Sequence, residues 1–349
     1  MEKSRVSLVS EMANSSSNVT YTTPTFYTRA AEVDKVLQYF EDLITWFSVY
    51  LPLGVVVIGV AGNLLSFLLL SRAQYKSSST CFYTKMLAIS DSMYLMTLTA
   101  RISSEVTDFI FGEATVYCIF LNGFKRLWPA VSSILLTAMS VDRCIAVVIP
   151  LRARVLCSVY RANLVTCFIV IIAAVLHIGT QVGRAAITEN GTNDCIFRKL
   201  PGMWGYYYAH FRIITTYYIP LSLVFVSNLG IISVVSSNRR RRLRLQNGRG
   251  QGQTQKDGGS HITTMLLAVS GSSILCQLPN QISRTYFNYT TTSFITPRAI
   301  AVRTFTKVFA EFFLYCNYGM NFYAYTLPIA KFRRELREML VSVKAISAQ

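Results

Sequence analysis

The sequence predicts an all-α membrane protein, a bundle of seven transmembrane helices followed by a short amphipathic membrane-surface helix. Three observations carry that expectation. Seven apolar stretches run along the chain, the loops between them are basic on one side only, and the glycosylation acceptors fall on the other. A bilayer core of about 30 Å takes about 20 helical residues per crossing. The composition is 52% hydrophobic, and the stretches lack the polar face that an amphipathic soluble helix would show.

In chain order the stretches are residues 49–70, 83–100, 116–148, 163–179, 213–235, 262–282 and 299–327, called spans one to seven below. Residues 1–23 are polar and rich in Ser and Thr, unlike a secretory signal, so span one is expected to act as its own insertion signal. An odd number of crossings puts the two ends on opposite sides. One set of loops carries Arg72 and Lys76, then Arg152, Arg154 and Arg161, then Arg239, Arg240, Arg241, Arg242, Arg244 and Arg249. The tail on that side adds Lys331, Arg333, Arg334 and Arg337, whereas the opposite loops are of mixed charge. The positive-inside rule therefore places the amino terminus outside and the carboxyl terminus in the cytoplasm. On this plan residues 1–42 form an extracellular tail, 43–328 the bundle and 329–349 a cytoplasmic amphipathic helix with a short tail.

The tripeptide Asn-X-Ser/Thr occurs at Asn14, Asn18, Asn190 and Asn288, and all four fall on the outer side of this topology. Of the eight cysteines, Cys81, Cys144, Cys157, Cys167, Cys276 and Cys316 lie in spans or on the reducing side. Only Cys118 and Cys195 sit on the outer face, where a disulfide persists, and they are expected to pair. The net charge of +17 is accounted for by the cytoplasmic loops and their contact with anionic lipid, so no nucleic-acid partner is implied. The only histidines are His177, His210 and His261, with no metal-ligand cluster and no Ser/His/Asp set, so an enzyme is not expected. A transporter or channel would show inverted repeats and interrupted helix pairs, and the chain has no internal repeat.

Polar residues recur at set depths in the spans. They are Gly62-Asn63 in span one, Leu87-Ala88-Ile89-Ser90-Asp91 in span two, and Cys118 with Asp142-Arg143-Cys144 in span three. Pro220 lies in span five, Cys276-Gln277-Leu278-Pro279 in span six, and Asn321-Phe322-Tyr323-Ala324-Tyr325 closes span seven before Phe332. In this order, one set per helix over about residues 43–340, they resemble the rhodopsin-like (class A) G-protein-coupled receptors. The loop Pro150-Leu151-Arg152-Ala153-Arg154-Val155-Leu156-Cys157 resembles that of invertebrate FMRFamide-type neuropeptide receptors. The resemblance implies an extracellular ligand and a cytoplasmic heterotrimeric G protein as partners. Departures are Gln277 for the usual tryptophan, Ser273 for phenylalanine, Phe322 for proline, Asn228 for tyrosine and Cys144 for an aromatic residue.

A charge in mid-bilayer is costly unless it faces partners or water. The family packing implies that Asp91 meets Asn63, Ser132, Asn317 and Asn321. Such a cluster of oxygens suits either a sodium ion with water or a hydrogen-bonded network that glues the helices. Asp142 and Arg143, at the cytoplasmic end of span three, read either as charges holding each other at the interface or, as the resemblance implies, as a switch that frees Arg143 for the G protein. Pro220 and Pro279 remove backbone donors inside helices and allow spans five and six to swing. Tyr325 is then placed to gate the crevice beside Arg143. After span seven, Ile329, Phe332, Leu336 and Leu340 share a face, with Lys331, Arg333, Arg334 and Arg337 around the rest.

Lys125 lies eighteen residues before Arg143, about 27 Å along a helix at 1.5 Å per residue, and so in the outer half of the bundle. The same arithmetic puts Arg101, Arg126, Arg212, Arg284 and Lys307 at outer depth. These cations should converge on a wet cavity tempered by Glu105 and Glu311; Gln277 is counted with the ligand-binding residues, and its amide is expected to be able to hydrogen-bond towards Asp91 and Asn317. The resemblance disfavours a biogenic amine, because amine receptors carry an aspartate where this chain has Lys125; the lysine of retinal proteins is also absent. A basic cavity favours carboxylate, sulfate or amide oxygens, on a neuropeptide or on a small organic anion. Tyr206, Tyr207, Tyr208, Tyr217, Tyr286 and Phe287 either suit a short peptide or form an interfacial aromatic belt.

Overall fold

A computed structural model describes residues 24–107, 114–187, 202–246, 258–289, 296–326 and 330–347. Every regular element among them is helical. Span one is the helix Leu51–Leu70, entered from Pro24–Thr45 through a π-helical turn at Trp46–Tyr50. Span two is Ser79–Thr107 and span three Ala114–Val148; the short helix Pro150–Leu156 leads into span four, Val159–Ile187. Span five runs from Gly202–Ile213 through a second π turn, Ile214–Tyr218, into Ile219–Gln246. Span six is Gly258–Tyr289, span seven Pro297–Thr326, and the last helix Ala330–Ser347.

Local chemistry starts these helices where they start. The Oγ of Ser78, Ser158 and the Oγ1 of Thr296 accept from the amides of Cys81, Arg161 and Ala299, capping spans two, four and seven. Proline opens Pro150–Leu156 and Pro297–Thr326, where its missing N–H is not needed. The two π turns precede Pro52 and Pro220, and each is centred on the residue four before that proline, Ser48 and Thr216. A proline cannot bond back to that carbonyl and its ring crowds it, so the chain widens by one residue there. Pro129 inside span three is a further proline that reading by motif passed over.

The bundle is inside-out relative to a soluble protein. Large apolar side chains such as Ile58, Leu64, Phe168, Ile171, Val175, Phe225, Val226 and Leu275 are exposed, whereas Asn63, Asp91, Ser132, Gln181, Asn228, Ser270, Gln277, Asn280, Gln281 and Asn321 are buried. Only lipid makes this arrangement favourable, since the hydrocarbon takes the apolar side chains and the polar ones need partners inside. By length and composition alone, four helices among the described residues qualify as crossings: Lys35–Leu70, Ile119–Val148, Val159–Gln181 and His210–Asn238. Spans two, six and seven form helices of 29, 32 and 30 residues, also long enough to cross, with a more polar composition. They carry the polar groups that the bundle hides.

Span three is the hub, packed against spans two, four and five, while span one lies on two and seven, and six on seven. Span six meets span five much less than it meets span seven. Leu135, Leu136, Met139, Leu266, Val269 and Phe322 share the main apolar core. Spans one and seven touch backbone to backbone. A Cβ on Gly59 would lie 2.7 Å from the Gly319 Cα, and one on Gly319 would lie 2.9 Å from the Val55 Cγ1. This contact lets Asn63 Nδ2 donate to the Tyr318 carbonyl at 3.1 Å, fixing the register of span seven. Phe322, where the family pattern has proline, is buried, and span seven continues as one helix to Thr326.

The last helix docks through Phe332, which is 2% exposed and stacks on Tyr75 with ring centroids 5.7 Å apart. Beside it Tyr75 Oη donates to buried Glu335 at 2.6 Å. Burial and that carboxylate push the Tyr75 hydroxyl above its ordinary range. Arg333, Arg334 and Arg337 face outward.

Candidate functional site: a polar passage through the bundle

Polar groups line the interior at three levels. The first level is a cavity of about 240 Å³ among spans five, six and seven. Arg212, Asn280, Ser283, Arg284, Phe287, Arg303, Lys307 and Glu311 line it. Glu311 on span seven holds Arg284 on span six, with Nη2 to Oε1 at 3.4 Å. Arg284 Nε donates to Asn280 Oδ1 at 3.2 Å, and Tyr315 Oη donates to Glu311 Oε2 at 3.1 Å. Arg101 Nη2 reaches the same Tyr315 hydroxyl at 3.0 Å, so one hydrogen-bonded chain runs from span two through span seven to span six. Arg101 and Lys125 also flank a cleft of about 10 Å³ with Tyr94, Thr97 and Leu98, water-sized space beside the larger cavity. Arg126 is half-buried on span three next to Lys125.

The cations keep aromatic company. Arg303 lies over the Phe287 ring at 5.1 Å and donates to the Phe287 carbonyl at 2.9 Å, and Lys307 Nζ lies 5.5 Å from the same ring. Tyr217 is buried, Tyr208 donates to Thr180 Oγ1 at 3.0 Å, and Tyr207 and Tyr286 are exposed. The side chains of Tyr206 and Glu105 lie outside the described residues.

The second level is Asp91, wholly buried on span two. Ser132 Oγ on span three donates to its Oδ1 at 2.6 Å, and Asn321 Nδ2 on span seven donates to its Oδ2 at 2.5 Å. Asn63 and Asn317 are buried too, and the Oδ1 of each has no hydrogen-bond partner. Gln277 is buried on span six and is not among the partners of Asp91. On the neighbouring turn, Thr137 Oγ1 donates to the Pro220 carbonyl at 3.3 Å, tying span three to the wide turn of span five. Asn228 Nδ2 donates to Ser270 Oγ at 2.8 Å and joins five to six.

The third level is at the opposite end from Lys125. Asp142 Oδ2 accepts from Ser79 Oγ at 2.8 Å and Thr80 Oγ1 at 3.2 Å, and Arg143 Nη2 donates to Ser78 Oγ at 3.2 Å. The two neighbouring charges each hydrogen-bond to hydroxyls at the start of span two, and the buried Arg143 Nε has no hydrogen-bond partner. Burial first and the Asp142 charge second raise the Cys157 thiol to about 11, and that thiol donates to the Asp142 carbonyl at 3.3 Å. Pro279 lies within the helix of span six. The side chains of Tyr325, Cys118 and Asn288, and all of Cys195, Asn14, Asn18 and Asn190, lie outside the described residues.

Helix periodicity could have found the cavity members that motif reading missed. Arg303 and Lys307 are four apart, as are Lys307 and Glu311, and Asn280 and Arg284, so each pair shares a helix face. Ser78, Ser79 and Thr80 carry no such signal. Their role depends on where the first loop meets span three.

A multi-pass helical bundle with a solvent-sized cavity at one end and buried ionic groups through its centre defines a membrane receptor or carrier in architecture. The model of the family "7 transmembrane receptor (rhodopsin family)" matches residues 62–325, and this chain belongs to that family. Membership makes it a multi-pass membrane receptor rather than an enzyme. The chain is 25% identical over 313 residues to the neuromedin-U receptor 2 of Mus musculus, covering 83% of this chain and 75% of that one. It is 30% identical over 125 residues to the thyrotropin-releasing hormone receptor of Homo sapiens, covering 35% of this chain and 31% of that one. With the alpha-1A adrenergic receptor of Rattus norvegicus identity is 27% over 180 residues, 50% of this chain and 36% of that one. The matched segment spans about a third of the length of the hormone receptors.

Proposed function

We propose that this chain is a plasma-membrane receptor, amino terminus outside, that binds an extracellular neuropeptide at the Lys125 end and activates a heterotrimeric G protein at the Arg143 end. The observation that carries the ligand site is the cavity itself, where four cations and one acid among the described residues line space that a side chain of a ligand can fill. Arg101, Lys125, Arg126, Arg212, Gln277, Arg284, Lys307 and Glu311 are the ligand-facing residues in this reading, with Arg303 added by its place in the lining. Relatives named as receptors for a releasing hormone and for neuromedin-U support a secreted messenger as ligand. Lys125 argues against an amine despite the adrenergic relative. The strong positive charge of the cavity keeps a small organic anion as the second reading.

Signal passes by a shift of population between closed and open states of the Arg143 end. Pro220 and Pro279 supply the compliant points, Asp142 and Arg143 the polar contacts that must be exchanged, and Tyr325 the gate. Asn63, Asp91, Ser132, Asn317 and Asn321 hold either a sodium ion with water or a bare hydrogen-bonded network. Their donor set is oxygen-rich, and the unpartnered Oδ1 atoms of Asn63 and Asn317 suit a hard cation. Residues 1–42 form the glycosylated outer tail, 43–328 the bundle and 329–349 the cytoplasmic helix and its end, with Cys118 and Cys195 bridged outside.

The test is nucleotide exchange. Purified receptor in lipid, given active members of a short amidated-peptide screen, should accelerate GTP loading of a heterotrimer. Ion flux without any G protein would instead place the chain among channels or carriers and end this reading.

A further inference from the structure

Among its described lining residues the cavity has one carboxylate for four cations, a formal excess of three positive charges. Glu311 answers them incompletely. It meets Arg284 through one oxygen at 3.4 Å, with side-chain exposures of 26% and 30%, so water competes for both ends of the pair. Its other oxygen is taken by Tyr315, which also serves Arg101, and Lys125 of span three bears on the same carboxylate. The cavity floor holds further donors in waiting. Asn280 is 1% exposed and spends its Oδ1 on Arg284, while its Nδ2 has no partner; Ser283 Oγ is likewise buried and unpartnered. Buried donors without acceptors are costly, and an oxyanion supplies both the acceptors and the missing charge.

We propose that Glu311 is a tethered stand-in for the anionic group of the ligand. An incoming carboxylate or sulfate takes Arg284 from Glu311, accepts from Asn280 and Ser283, and draws its remaining charge balance from Arg303 and Lys307. The exchange removes an ion pair that joins span six to span seven just above Pro279, where span six is otherwise held to span five by few contacts. Ligand recognition and the loss of this link between spans six and seven are then one event. A ligand entering with a guanidinium or ammonium end is rejected by the same charges. This inference rests on the cavity being the ligand site.

The test uses the full chain in neutral phosphatidylcholine nanodiscs, with sodium sulfate and sodium succinate as probes against chloride at equal ionic strength. Half-saturating concentrations are read from the shift in thermal unfolding. Glu311→Gln keeps an acceptor for Tyr315 but removes the internal competitor, and it should bind sulfate, succinate or both at least tenfold more tightly than wild type. Glu311→Asp, with its carboxylate withdrawn by one methylene, should give a smaller gain in the same direction if the Gln variant does not fold. Adding Arg303→Gln to Glu311→Gln should abolish the gain. A gain in sulfate alone points to a sulfated ligand and a gain in succinate to a carboxylate, and either supports the exchange. Equal affinities in wild type and Glu311→Gln, or a gain that survives loss of Arg303, would overturn it. Nucleotide exchange is a separate readout: its failure with a clear anion gain would sink the receptor coupling and leave the exchange standing.

Discussion

Asp91 and Glu311 are both carboxylates inside a membrane bundle, yet their surroundings differ in kind. Asp91 is fully buried, touches no cation, and has each oxygen occupied by a neutral donor from a different span. Glu311 is a quarter exposed, faces Arg284 at hydrogen-bonding range and shares its cavity with Arg212, Arg303 and Lys307. The first arrangement closes on itself and holds three helices together. The second is left short of negative charge and open to water, which is the state of a site built to receive something. Both acids depend on span seven, which carries Glu311 and also the Asn321 that donates to Asp91 of span two.

The largest way to break the comparison is therefore to move span seven. Gly59→Val would drive a side chain into the Gly319 backbone, 2.7 Å away for the Cβ alone, and cost about 3 kcal/mol or more. Surface expression and thermal stability should fall with both sites lost together. Gly62→Ala, whose Cβ would meet Phe322 and Tyr323 side-chain atoms at 3.1 Å, should be milder.

Next comes the closed site alone. Asp91→Ala strips Ser132 and Asn321 of their acceptor, at about 1–3 kcal/mol for each buried donor, and should lower the melting temperature more than Glu311→Ala does. Equal losses from the two acids would erase the distinction drawn between them.

A smaller effect is expected outside the bundle. Tyr75→Phe removes a bond to the buried Glu335 carboxylate, worth about 1.5–3 kcal/mol for a charged acceptor. The folded-state value of this hydroxyl is raised above the unfolded one of about 10. Its contribution is thus complete below pH about 10 and is lost as pH rises, because the unfolded chain sheds the proton first. Stability of the Phe variant should fall less steeply than that of wild type above that pH.

The smallest change is chemical. With its thiol raised to about 11, Cys157 should be thiolate in only about one molecule per thousand at pH 8 and should react slowly with maleimide. Asp142→Asn should quicken it, because the Asp142 charge is part of the cause. Mass spectrometry of labelled peptides reads both.

Much of this molecule was legible in its sequence, for a physical reason. In lipid, apolar length marks the crossings, and any charge within them must face inward, so Asp91, Arg101, Lys125, Arg212, Arg284, Lys307 and Glu311 could be assigned to an interior passage before any geometry. Their grouping follows from helical rise alone. What stayed hidden depends on rotation and on loops. Arg303 belongs to no motif, and only the helix face it shares with Lys307 and Glu311 marks it. Asp142 has Arg143 beside it in sequence but finds Ser79 and Thr80 in space. The π turns before Pro52 and Pro220 leave no compositional mark beyond the prolines themselves. Tyr75 and Glu335 are 260 residues apart and meet only because the last helix folds back on the first loop.

The central claim is that the open, under-neutralised cavity receives the ligand. It is tested most directly by agonist potency, once the peptide screen yields an agonist, in cells expressing wild type, Lys307→Ala or Arg212→Ala at matched surface levels. The account requires potency to fall tenfold or more in both variants with the surface levels intact. Unchanged potency in both would contradict it.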